Sequence, residues 1–119
     1  MAKLLIWLNQ SPAAGPAARL AFELAQAATA QGHRVSFFLL DDGVYNAVGT
    51  GTKAPVDLAG ELAAWMAVAP AEREVLACAL SSQERGLTAE ALWPGVRISH
   101  SAALGGLLRE ADRILAFLA

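Results

Sequence analysis

Three apolar runs that do not alternate constrain this chain more than any other feature. They are Lys3 to Asn9 (KLLIWLN), Arg34 to Leu40 (RVSFFLL) and Glu74 to Leu80 (EVLACAL). A strand with one face in water alternates apolar and polar residues. An unbroken run of this length reads as a strand covered on both faces, the pattern of a parallel sheet. Two shorter strands are expected at Val96 to Ile98 and Arg113 to Leu118 (RILAFL).

Between the runs the period changes. After Pro16, a residue suited to a first helical turn, Ala17, Leu20, Ala21, Leu24 and Ala28 recur three or four apart, and Gly32 fits the stop. Leu58, Leu62, Trp65, Met66 and Ala69 form a second helical face, opened by Asp57 as a cap and stopped by Pro70. Leu104, Leu107, Leu108 and Ala111 form a third, ended by Asp112. Short helical pieces are expected at Val44 to Val48 and Thr88 to Trp93. Ser81 and Glu84 have capping-box spacing, so a helix is expected to start there, right after the third strand. Gly49 to Pro55 (GTGTKAP) reads as a surface loop rich in breakers.

Strands that alternate with helices make βαβ units and a mostly parallel sheet. Right-handed crossovers put helices on both faces. The carboxyl ends of the strands then share one edge, where such sheets place their sites. That edge collects Asn9 to Ser11, Asp41 to Gly43, Cys78 with Ser81 and Ser82, and Ser99 to Ser101.

With 119 residues the chain is expected to form one domain, residues 1–119, with enough length for a core without staples. Its 55% hydrophobic share is high, which means a sheet covered on both faces or apolar surface buried between subunits. A net charge of −2 with no basic run argues against nucleic acid as a direct ligand. The apolar run Leu4 to Leu8 is too short for a signal segment or a membrane span. A single cysteine excludes an internal disulfide framework and fits a reducing compartment. The expectation is a soluble, cytoplasmic protein.

Cys78 is the candidate working atom. Free cysteine is among the most buried residue types, so core packing is the plain alternative. Against that stand its place at the sheet edge, and a helix start behind it and Arg85 nearby, both of which favour a thiolate. Without a second cysteine there is no resolving thiol, so Cys78 has to exchange with a partner or a small molecule. A persulfide carrier fits that constraint. Ser81 and His100 are further candidates to stabilise the thiolate; Ser81 and Ser82 also read as helix caps, and His100 as a surface loop histidine. Asp41 and Asp42 read as a turn before Gly43, or as a carboxylate pair. Trp7, Trp65 and Trp93 read as core or interface. Two histidines and one cysteine far apart make no metal site, and Gln10 to Gly15 lacks the glycine spacing of a nucleotide loop. No cofactor is expected.

Four stretches resemble the DsrE/DsrF family, closest to the DsrE and TusD subunits of sulfur-relay systems. They are Ser36 to Ala47 (SFFLLDDGVYNA), Cys78 followed by Arg85, Gly86 and Leu87, the glycine-containing helix Ser101 to Leu108, and the ending Ala111 to Phe117 (ADRILAF). The chain departs from that pattern at the start of the last helix, where His100, Ser101 and Ala102 stand and Gly105 and Gly106 come later. The resemblance implies a three-layer α/β/α fold with a five-stranded parallel sheet, and assembly into trimers or hexamers of like or paralogous subunits. It implies a persulfide on Cys78, passed to a partner protein thiol in transfer RNA thiolation or in sulfur oxidation. The expected function is therefore a sulfur carrier, a sulfurtransferase-type activity if Cys78 is reactive. Its rivals are a non-catalytic assembly or binding protein of the same fold with a structural Cys78, and a flavodoxin-like module for a flavin or other small molecule.

Overall fold

The computed structural model describes residues 1–49 and 58–118. Strands β1 (Lys3–Leu8), β2 (Arg34–Leu39), β3 (Arg73–Cys78), β4 (Arg97–Ser99) and β5 (Arg113–Phe117) form one sheet. Its order is β4-β3-β2-β1-β5, and every neighbouring pair is parallel. Helices α1 (Ala17–Ala30), α2 (Leu58–Val68), α3 (Ala79–Glu84) and α4 (Ser101–Glu110) connect the strands. The three-layer α/β/α fold expected from the sequence is therefore present. Asp57 and most of the Gly49 to Pro55 loop lie outside the described residues.

The unbroken apolar runs follow from register. Ile6 lies beside Phe37, which lies beside Val75; one residue on, Trp7, Phe38 and Leu76 form the next row. Successive side chains point to opposite faces, so both rows need an apolar cover. The first row packs with Leu8, Val35, Leu39 and Ala77 under α1 and α2, which supply Ala21, Phe22, Leu62 and Trp65 among others. Trp65 stands edge-on to Phe22 and Phe37, with ring centroids 6.1 and 5.6 Å apart. The second face packs Leu5, Phe38, Leu76 and Cys78 under Leu104 of α4.

Several boundaries differ from the sequence reading. The third strand ends at Cys78, not Leu80. Beyond Ala77 the neighbouring β2 has turned away, so Ala79 and Leu80 have no ladder to join there, and they form the first turn of α3 instead. Leu80 is 63% exposed, which a buried strand would not allow. Because α3 begins two residues early, Ser81 and Glu84 lie inside it and the capping box does not form. The short helix expected at Val44 to Val48 is a 3₁₀ helix over Asp41–Ala47. Thr88 to Trp93 contains only a three-residue 3₁₀ turn, Ala89–Ala91, where Leu92 bridges to Val48.

Candidate functional site at the carboxyl edge of the sheet

The carboxyl ends of β1 to β4 carry Asn9, Asp41, Cys78 and His100 to one edge, as a parallel sheet requires. Cys78 is the last residue of β3 and the first flank of α3. It lies beside Ser99 of β4 and is only 5% exposed. Its neighbours in the cluster are apolar: Leu5, Phe38, Leu76 and Leu104.

A chain of hydrogen bonds frames this end of the sheet. Trp7 Nε1 donates to Asn9 Oδ1 (2.8 Å), and Asn9 Nδ2 reaches Asp41 Oδ2 (3.4 Å). The Asp41 backbone N–H donates to Ser81 Oγ at 2.9 Å. Arg85 Nη1 donates to the Ser81 carbonyl (3.1 Å), and its Nε donates to Asp42 Oδ1 (3.0 Å). The frame thus links the end of β1, the 3₁₀ helix and α3, the helix that follows the thiol directly. Asp41 adopts φ 50°, a left-handed conformation that costs most residues but that Asp tolerates. Its bonds to Ser81 and Asn9 stabilise that conformation.

The DGVYNA stretch has a steric reason at Gly43. A Cβ there would lie 2.0 Å from the Leu8 carbonyl oxygen, so the 3₁₀ helix can cross the end of β1 only at a glycine. Asn46, 1% exposed, completes the crossing. Its Nδ2 donates to the carbonyls of Gln10 (2.8 Å) and Gly43 (2.9 Å). Sequence reasoning quoted Asn46 but gave it no role, and it put Asn9 on this edge without a partner. The available signal was a run of short polar residues at each strand end.

The candidate residues are not gathered around the sulfur. Ser81 faces Asp41, Arg85 faces Asp42, and His100 is an exposed residue flanking α4 with no side-chain capping bond. Among the described residues no hydrogen bond or ion pair joins Cys78 to any of the three. The helix behind the thiol has six residues, fewer than two turns, so its end carries little of the field expected to stabilise a thiolate. Asp41 and Asp42 belong to the frame and are not a facing carboxylate pair. Among the described residues no group of three or more His, Cys, Asp or Glu side chains could hold a metal ion, and no helix is long and apolar enough to cross a membrane.

Comparison with known proteins places the fold. The model of the DsrE/DsrF-like family matches residues 2–117. The ychN protein from E. coli is a structural neighbour with a TM-score of 0.82 at 22% identity, over 98% of this chain and 100% of that one. The protein of unknown function MTH1491 from Methanobacterium thermoautotrophicum has a TM-score of 0.70 at 11% identity, over the same shares. At these identities both likenesses speak for the fold alone. No curated protein matches the chain by sequence.

Proposed function

We propose that this chain, which belongs to the DsrE/DsrF-like family, is a sulfur carrier that works through Cys78. The observation that carries the reading is the place of its one thiol. Cys78 ends an interior strand at the carboxyl edge, directly before α3, whose Ser81 is tied to Asp41 at the end of β2. The Cys78 thiolate attacks the outer sulfur of a donor persulfide. A new S–S bond forms, the donor's S–S bond breaks, and the donor leaves as a thiolate with the electron pair. Cys78 then carries the persulfide. An acceptor protein's thiolate attacks its outer sulfur in turn, and Cys78 leaves as the thiolate.

Donor and acceptor are other sulfur-carrier proteins in this reading, with transfer RNA thiolation or sulfur oxidation downstream and the cytoplasm as the compartment. The net charge of −2 supports protein partners over direct contact with nucleic acid. Leu80, next but one to the thiol, is 63% exposed and offers a partner an apolar contact. Ile114 and Leu118, at 46% and 56%, add apolar surface on the outer strand and beyond, which supports a trimer or hexamer of like or paralogous subunits.

One observation favours a second reading. Cys78 is buried among apolar side chains, as a packing thiol would be, and a non-catalytic assembly subunit would have it so. Intact mass after incubation with a persulfide donor separates the two. The carrier gains one sulfur atom, reductant removes it, and Cys78→Ala gains none. A folded, reduced sample that gains nothing is the structural subunit.

A further inference from the structure

We infer that α4 is a gate over Cys78, closed by Leu104 and made easy to open by Gly105 and Gly106. The purpose of the gate rests on the carrier reading, since a transferred sulfur has to reach a thiol that is 5% exposed. Its physics rests on α4 alone.

Gly105 and Gly106 sit in the middle of a ten-residue helix. Glycine there weakens a helix relative to alanine. The usual reasons to tolerate it are missing. A Cβ at either position would meet nothing within 4 Å, and neither residue has the left-handed φ that calls for glycine. Gly43, pressed on the Leu8 carbonyl, and Gly95, at φ 97°, show what those reasons look like in this chain. The N-terminal end of α4 is weak as well. His100 makes no side-chain capping bond, and the first turn holds no acidic residue. A helix of this length does not hold in water by itself, so tertiary packing keeps it formed. Leu104 is its buried side chain and shares one buried cluster with Cys78, with Ala103 and Leu107 of α4 packed against it. When α4 opens, the cover of the thiol leaves with it, while the α1 and α2 side of the sheet is untouched. Openings of this partial kind need far less free energy than global unfolding.

The test is the rate at which a dilute aromatic disulfide reagent labels Cys78 in the native protein, alongside amide exchange of β2 as the measure of global opening. Wild-type Cys78 is expected to label faster than β2 exchange allows, with little dependence on urea. Gly105→Ala with Gly106→Ala should slow labelling about 30-fold, the factor that follows from about 1 kcal/mol per glycine. Both alanines fit the open space, so the variant folds. Leu104→Ala should speed labelling. The gate is overturned if Cys78 labels only as β2 exchanges, with the urea dependence of full unfolding, or if the double variant labels at the wild-type rate. It is also overturned if slower labelling comes with a changed molecular mass in solution, which would make the glycines an assembly surface. Persulfide loading is scored separately. Labelling that follows α4 without any sulfur uptake keeps the gate and removes the carrier.

Discussion

One sheet has two unequal sides. Under α1 and α2, side chains from β1, β2 and β3 meet Phe22, Leu62, Trp65 and Met66 in a single cluster. Under α4, Leu104 is the one helix residue in the buried cluster, and the thiol lies beneath it. The difference shows how a 119-residue chain can hold its fold and still leave one side lightly covered. Stability comes from the side where aromatic rings interlock. The other side covers Leu5, Phe38, Leu76 and Cys78 with Leu104 and the partly buried Ala103 and Leu107. An element meant to move has to come from the weakly held end of the stability range, and α4 meets that description.

The largest expected effect tests the strong side. Trp65 touches both Phe22 and Phe37, stacks against the Arg73 guanidinium and donates to Thr29 Oγ1. Trp65→Ala should cost about 3–5 kcal/mol, read from urea denaturation. Gly43→Ala comes next, since its Cβ would meet a backbone oxygen that cannot move aside cheaply. Overpacking of that kind costs about 1–3 kcal/mol, and it should also disturb the frame beside the thiol. Leu104→Ala should cost about 2 kcal/mol, the low end for a buried leucine, because an open side relaxes into the space. A loss as large as that of Trp65→Ala would break the comparison, because α4 would then belong to the global core.

The unequal cover was not legible in the sequence, although much of the fold was. KLLIWLN and RVSFFLL announce strands buried on both faces, because no solvent-facing residue interrupts them. Such runs cannot say how deep each cover is. The end of β3 was misplaced for a related reason. Ala79 and Leu80 continue the apolar run, but strand length depends on a neighbour's register, and β2 had already turned at Leu40. At the site, Cys78 stood out by its uniqueness and its position before a polar stretch. Its burial under Leu104 depends on a helix that follows it by more than twenty residues, and no local pattern carries that. Arg85 and Ser81 were near in sequence, but their hydrogen bonds go to Asp42 and Asp41.

The smallest expected effects come from one exposed ion pair on each side. Arg19 Nη2 donates to Glu61 Oε2 at 2.6 Å, joining α1 to α2, and Lys3 Nζ donates to Glu110 Oε2 at 3.0 Å, joining β1 to the end of α4. Each hydrogen bond holds its glutamate below the ordinary carboxylate range. A folded-state value lowered in this way stabilises the protein above the unfolded value, and that stability is lost as pH falls through the folded one. Glu61→Gln should therefore lower stability by about 0.5 kcal/mol or less at neutral pH, because water screens both partners. The deficit should vanish in acid, where wild-type Glu61 is also neutral. Glu110→Gln should speed Cys78 labelling slightly, less than Leu104→Ala does, whereas Glu61→Gln should leave labelling unchanged, because the Arg19–Glu61 pair stays intact when α4 opens. Two pairs of one kind would then differ in the events they report, since Arg19–Glu61 is lost only in global unfolding and Lys3–Glu110 is lost in the opening of α4 as well. If both variants changed labelling alike, the two sides of the sheet would open as one unit, and the contrast between them would be geometric only.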